Sequence, residues 1–217
     1  MENTRVTYKI IIAGIGPGNP DYMVPLARKA IEGAKALVGG RRALAQYAAG
    51  GAAAGQHTMA VTRDIEAVMA FIHEEIREHD VVVMVSGDPG YYSLLDAVKR
   101  EFPPEYLDVI PGISAMQLAF ARLAIPWHDA RLVSFHGRQP EREKILYQAG
   151  AIIGMLTDAK FTSRTIPPIL MECGWSGEAS LHICTRLSYD DENIVTIRLR
   201  EAENYPEAKN GILIVEE

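Results

Sequence analysis

Long apolar runs are missing from this chain: no stretch approaches the roughly 18 to 20 uninterrupted apolar residues that a membrane span requires. The first residues, Met1-Glu2-Asn3-Thr4-Arg5, carry no signal-peptide pattern. A cytoplasmic protein without a membrane partner is therefore expected. Cysteine is almost absent, with only Cys173 and Cys184 in 217 residues, which excludes a disulfide framework and a ligand cluster of zinc-site spacing. His182 and Cys184 fall on one face of a strand-like run, but two ligands are too few, so both read as packing residues and no metal is expected. Positive charge is also short. Twenty-two Lys and Arg against 28 Asp and Glu leave a net charge of -6, and a protein that lives on phosphate backbones usually needs a basic surface. Nucleic acid is thus an unexpected partner, and no internal repeat of fixed period is present.

What the chain does have is core-forming capacity. With 48% hydrophobic and 23% charged residues, it can build one large domain or two of roughly 100 residues each. Apolar runs of strand length occur at Lys9 to Ala13, Val81 to Val85, Leu107 to Ile110, Leu132 to Phe135, Ala151 to Leu156, Leu181 to Cys184, Ile194 to Ile197 and Ile212 to Val215. Helix-period patterns lie between many of them, the clearest at Thr62 to Glu78, where Val68, Met69, Phe71, Ile72 and Ile76 oppose Glu66, Glu74, Glu75 and Arg77. Alternating strands and helices predict parallel βαβ units. The polar turn Ser188 to Asn193 is too short for a crossover helix, so the runs on either side of it pair antiparallel. Proline and glycine at Ile110-Pro111-Gly112-Ile113 mark the break between lobes, and Ser114 then caps a helix through Leu123. The expected fold class is α/β, with a first lobe over 1–112 built on a mainly parallel sheet and a second over 113–217 built on a mixed sheet. The Gly/Ala tract Gly50 to Gly55 reads as a loop.

Three strand-terminal turns stand out. Gly14-Ile15-Gly16-Pro17-Gly18-Asn19-Pro20-Asp21 follows the first strand and is a rigid, shaped surface, because glycine permits close approach and proline fixes φ. In open α/β sheets ligands sit at such strand ends. The turn is not a dinucleotide fingerprint, since Asn19 stands at the last glycine position, and no Lys-Ser or Lys-Thr pair follows to make a P-loop. Val81 to Val85 ends in Ser86-Gly87-Asp88-Pro89-Gly90, followed by Tyr91-Tyr92-Ser93. Asp88 there suits a ligand's hydroxyl or ammonium group, and equally suits capping a helix that begins near Pro89. The third turn is Pro111-Gly112-Ile113-Ser114-Ala115.

These turns, in this order and spacing over essentially the whole chain, resemble the tetrapyrrole methylases that use S-adenosylmethionine, whose members combine GxGPGxP, GDP and PGxSA segments. Ser86 to Pro89, Ser134-Phe135-His136-Gly137-Arg138 and Leu187-Ser188-Tyr189-Asp190-Asp191-Glu192 most resemble the branch that methylates carbon 5 of a ring-contracted corrin precursor such as cobalt-precorrin-7. Some relatives carry a further domain for carbon 15 and decarboxylation. This chain is too short to contain it, so the resemblance implies the stand-alone carbon-5 enzyme, with a separate carbon-15 methyltransferase/decarboxylase expected to act in the same pathway.

The resemblance implies two α/β lobes with S-adenosylmethionine and substrate in the cleft between them, and a homodimer. Matched by motif position, the resemblance implies cofactor contacts from Pro17, Gly87, Asp88, Tyr91, Ser114 and Ala115, and further ones from Leu156 and Thr157 at the end of the Ala151 to Leu156 strand and from Gly211 near the final strand. Substrate carboxylates suit Arg138 and Arg42, since guanidinium pairs with carboxylate in a bidentate geometry. His136, at a strand end, is the candidate base, although such a histidine also serves as a hydrogen-bonded structural residue. A methyltransferase of the same fold acting on another precorrin position, on ribosomal RNA or on the diphthamide precursor is the nearest alternative. A binding module that holds a tetrapyrrole or nucleotide without transforming it is the rival of a different class.

Overall fold

The computed structural model describes residues 8–48 and 55–217. The loop expected from Gly50 to Gly55 lies, except for Gly55, outside the described residues. The chain divides into two compact units, Met1–Ser114 and Ala115–Glu217.

The first unit holds strands β1 (Ile10–Gly14), β2 (Ala36–Gly39), β3 (His57–Ala60), β4 (Val81–Val85) and β5 (Leu107–Ile110), ordered β3-β2-β4-β1-β5. Every pairing among them is parallel. Helices α1 (Pro25–Gly33), α2 (Arg41–Tyr47), α3 (Ile65–Glu75) and α4 (Leu95–Glu101) connect the strands. β4 shows why its sequence is apolar without alternation. Val81, Val83 and Val85 pack with Ile10, Val38, Val68 and Ile72, while Val82 and Met84 pack with Ala13, Leu37, Ala27 and Ile31 in a separate cluster. All five β4 residues are buried, as a central parallel strand covered on both faces requires.

The second unit holds α5 (Ala115–Leu123), β6 (Arg131–Ser134), β7 (Ile152–Leu156), α6 (Ile166–Glu172), β8 (Ser180–Thr185), β9 (Asn193–Arg198) and β10 (Ile212–Glu216), with strand order β6-β7-β10-β8-β9. β6 and β7 are parallel, and the other neighbours are antiparallel. The α/β class and the contrast between a parallel and a mixed sheet are as expected. α5 packs on β7 at Gly154, where a Cβ would meet Met116 Sδ at 2.7 Å and Phe120 at 3.0 Å. A single core gathers Phe135, Ile145, Met155, Leu170, Leu181 and Leu213, and Trp175 within it donates its indole N–H to the Ile145 carbonyl at 2.8 Å.

Several boundaries differ from the sequence reading. α3 begins after Asp64, whose carboxylate accepts the Ala67 amide at 3.0 Å, while Thr62 Oγ1 accepts the Asp64 amide one step earlier. The stronger acceptor takes the cap position, so the helix starts three residues later than Thr62 suggests. β2 and β3 were not anticipated. Each has only four residues, and the edge strand β3 is partly exposed. No helix formed by the described residues is long and apolar enough to cross a membrane.

Candidate functional site

Because the first sheet is parallel, the carboxyl ends of β1, β4 and β5 lie along one edge, and their three turns meet there. Gly14 and Gly112 are in such close backbone contact that a Cβ on Gly14 would lie 2.7 Å from Gly112 Cα and from the Gly87 carbonyl oxygen. No side chain fits at that junction. Gly16 and Gly87 form an isolated antiparallel bridge, with the Gly87 amide donating to the Gly16 carbonyl at 2.9 Å. Both adopt positive φ, at 76° and 71°, a region open to glycine at little cost. Pro17 leaves this bridge half-buried, and Asn19 then accepts the Asp21 amide to start a 3-10 turn over Pro20–Tyr22.

Asp88 locks the arrangement. One carboxylate oxygen accepts the Gly90 amide at 2.8 Å and the other accepts the buried Gly112 amide at 3.0 Å, tying the β4 turn to the β5 turn. It caps no helix, which corrects the capping alternative: α4 begins at Leu95, and Ser93 Oγ accepts the Leu95 amide. A carboxylate has about four lone-pair sites, so capacity for a ligand remains beside these two bonds. Ser114, buried, approaches Gly87 closely, with a Cβ on Gly87 falling 3.3 Å from Ser114 Cα. Ala115 opens α5.

Tyr91 follows on the same turn, its amide donating to the Asp88 carbonyl at 3.2 Å. Its ring meets Tyr92 edge to face at 4.9 Å. The Tyr91 hydroxyl is buried and has no hydrogen-bond partner among the described residues. Burial pushes its phenol well above the ordinary 10.0, and neighbouring Tyr92 adds to the rise, so Tyr91 stays a neutral donor. A buried hydroxyl without a partner costs about 1–3 kcal/mol, and a polar ligand at this turn would recover it.

In the second unit, β7 and β10 pair with Ile212 opposite Leu156, which sets Thr157 against Gly211. Thr157 Oγ1 donates to the Gly211 carbonyl at 3.0 Å and accepts its amide at 2.8 Å. Gly211 admits no side chain, since a Cβ would lie 2.6 Å from the Cys184 carbonyl oxygen. Leu156, Thr157 and Gly211, scattered in sequence, are thus one structural feature.

The segment His136-Gly137-Arg138 follows β6 and is exposed. Asp158, which sequence reasoning missed, organises it. Its carboxylate accepts the Gly137 amide at 2.7 Å, the Phe161 amide at 2.6 Å and the Lys160 amide at 2.7 Å. The Phe161 and Gly137 amides hold the Asp158 carboxyl below its ordinary 3.8, with the His136 charge a smaller contributor. The available signal was its position, an aspartate just past a central strand, as with Asp88. Arg138 lies near enough to Glu141 to help lower that carboxyl, after Lys144. Arg42 is exposed on the first turn of α2.

The Leu187–Glu192 segment is an ordered turn. Glu192 accepts the Ser188 amide at 2.6 Å and pairs with Arg122 of α5 at 2.7 Å, and Arg186 lies over the Tyr189 ring at 4.4 Å while pairing with Asp191. The guanidinium of Arg122 is the main reason the Glu192 carboxyl sits below its ordinary value.

A parallel sheet with packed glycine turns at its carboxyl edge, followed by a mixed sheet, is the architecture of a known group of proteins. Residues 9–203 match the family Tetrapyrrole (Corrin/Porphyrin) Methylases. The chain belongs to this family. It is 32% identical over 208 residues to the cobalt-precorrin-7 C(5)-methyltransferase of Salmonella typhimurium, covering 96% of this chain and 99% of that protein. The crystal structure of the methyltransferase CobJ superposes with a TM-score of 0.81 at 19% identity, covering 97% of this chain and 95% of that one. The uroporphyrin-III C-methyltransferase of Thermus thermophilus, crystallised with S-adenosylhomocysteine, gives a TM-score of 0.70 at 20% identity over 96% of this chain and 92% of that one.

Proposed function

We propose that this chain transfers a methyl group from S-adenosylmethionine to carbon 5 of cobalt-precorrin-7 in cobalamin biosynthesis. The observation that carries the reading is the β4 turn. There Gly87 and Asp88, tied to Gly112 of the β5 turn, form a rigid backbone surface, and the buried Tyr91 hydroxyl has no hydrogen-bond partner among the described residues. Full-length similarity to a carbon-5 methyltransferase supports the choice of position on the macrocycle.

The residues present fit the cofactor. Pro17, Gly87, Asp88 and Tyr91 in the first unit, Ser114 and Ala115 after β5, and Leu156, Thr157 and Gly211 in the second unit are proposed to hold it. When bound, it supplies the electrophile, a methyl on a sulfonium, and an electron-rich macrocycle carbon is the nucleophile, so no protein nucleophile is required. The protein's contribution is positioning and exclusion of water, which can lower a barrier by about 7–11 kcal/mol when the bound geometry is near that of attack. A turn locked by packed glycines and by Asp88 serves this, because its geometry is set before the ligand arrives. Tyr91, kept neutral by burial, donates its O–H to a polar group of the ligand.

Arg138 and Arg42 are proposed to meet the peripheral carboxylates of the substrate, and both are exposed as such contacts require. His136 is proposed as the base that removes a proton from the methylated carbon. Asp158 holds the adjoining Gly137 amide and so sets where His136 begins its turn. The protein is further proposed to act in the cytoplasm as a homodimer. Carbon 15 and decarboxylation are proposed to fall to a separate enzyme, since the Salmonella relative, matched over 99% of its length, is named for carbon 5 alone.

The test is incubation with labelled S-adenosylmethionine and cobalt-precorrin-7, with cobalt-precorrin-4 in parallel. A product one methyl heavier from cobalt-precorrin-7 alone is expected. Binding of both ligands without product would reduce the protein to a carrier, and methylation of cobalt-precorrin-4 would assign a different position in the same family.

A further inference from the structure

The opposite edge of the first sheet carries a cluster that methyl transfer does not use. His57 opens β3, Glu75 closes α3, and His79 lies four residues beyond Glu75. His57 Nδ1 is 2.9 Å from both Glu75 carboxylate oxygens, and His79 Nε2 is 3.3 Å from Oε2 of the same group. One ligand atom from each residue falls within 4.8 Å of the other two. We propose that His57, Glu75 and His79 form a binding site for a divalent transition cation of the zinc class.

The backbone fixes this arrangement. The His79 amide still donates to the Glu75 carbonyl at 3.2 Å beyond the end of the regular helix, so the two side chains are stacked one turn apart, as for residues four apart on a helix. His57 is held across from them by its own amide, which donates to the Lys35 carbonyl at 2.8 Å, and by register with Ala36 of β2. Two imidazoles and one carboxylate are a donor set suited to zinc, cobalt, nickel or copper and unlike the all-oxygen sets of calcium and magnesium. Tetrahedral zinc with bonds of about 2.0–2.1 Å places its ligand atoms roughly 3.3 Å apart. The observed separations of 2.9 and 3.3 Å between the imidazoles and the carboxylate lie just below and at that value, and the two imidazoles, within 4.8 Å of one another, need to draw together around the ion. Glu75 is mostly covered, with 13% of its side chain exposed, whereas His57 keeps 60%. That leaves a route for the ion and room for water as a fourth ligand. Among the described residues Glu75 pairs with these two imidazoles, and the nearby Arg77 is engaged by Glu74.

The location defines the role. His57, Ala36, Val81 and Ile10 are in register at the amino ends of four parallel strands, the edge away from the glycine turns. A cation there joins the edge strand β3 to the last turn of α3 and stabilises the first unit without touching the methyl-transfer chemistry.

The experiment titrates metal-free, tag-free protein with zinc chloride by calorimetry in a non-chelating buffer, and follows melting with and without zinc. One equivalent should bind the parent protein and raise its melting temperature. His79→Ala and Glu75→Gln should each weaken binding at least tenfold, and His57→Asn, at a largely exposed position, should do the same with native circular dichroism. His128→Ala, which removes a surface histidine paired with Asp129, should bind as the parent does. Cobalt(II) should give the visible absorption of tetrahedral coordination in the parent and lose it in His57→Asn. Absence of stoichiometric binding, or parent-like binding by His57→Asn, would overturn the assignment.

Discussion

Replacing Asp88 with alanine tests whether the three turns are held together as described. The substitution removes both acceptors at once. The Gly112 amide is buried, so water does not replace the lost oxygen, and a buried donor left without a partner costs about 1–3 kcal/mol. The Gly90 amide is exposed; water takes over there, and the loss is about 0.5–1 kcal/mol. The sum is about 1.5–4 kcal/mol, which for a chain of this size corresponds to a fall in melting temperature of roughly 3–16 °C. Asp88→Asn retains one oxygen and should lose about half as much. Melting by circular dichroism gives the ranking parent, Asn, Ala, and calorimetry with S-adenosylmethionine should show weakened binding in the alanine variant, because Gly87 and Gly112 are no longer fixed. If Asp88→Ala melts within about 1 °C of the parent, the carboxylate does not hold the turns together and the reasoning fails.

Tyr91→Phe removes a buried hydroxyl that has no hydrogen-bond partner among the described residues, so the free protein should be as stable as the parent or up to about 1 kcal/mol more stable. Its affinity for S-adenosylmethionine should fall about tenfold, as loss of a hydrogen bond worth about 1.4 kcal/mol implies; equal affinity would remove Tyr91 from the site. Glu192, held below its ordinary 4.5 chiefly by Arg122, has a depressed folded-state value, so its contribution is fully present above 4.5 and is lost as pH falls through the folded value. The urea midpoint should therefore decline below about pH 4.5 less steeply in Glu192→Gln than in the parent, and identical slopes would contradict the pairing. His136→Ala should slow single-turnover methylation and flatten its pH profile, whereas an unchanged rate across pH would exclude it as the base.

The parts of this molecule that were legible in the sequence were those where one residue type has few structural uses. Gly14, Gly16, Gly87 and Gly112 announced turns because close backbone contact excludes any side chain, and the structure shows three of the four packed against one another. The uninterrupted Val81–Val85 run was legible because burial on both faces removes the usual alternation. β2 and β3 were not legible: Ala36–Gly39 and His57–Ala60 owe their strand form to neighbours in the sheet and not to their own composition. The second role of Asp88 was equally hidden, since its tie to Gly112 joins residues 24 apart. Asp158 was passed over because its three amide partners become visible only once the Phe161 turn and the Gly137 turn are folded beside it. The cluster of His57, Glu75 and His79 joins an edge strand to a helix end across 18 residues, a distance that no spacing rule for metal ligands covers.

The most direct measurement of the central claim is nuclear magnetic resonance of the product formed from cobalt-precorrin-7 and S-adenosylmethionine carrying a carbon-13 methyl group. One enriched methyl signal, coupled to carbon 5 of the macrocycle, is expected. A label at any other carbon, or no label on the macrocycle with both ligands bound, would contradict it.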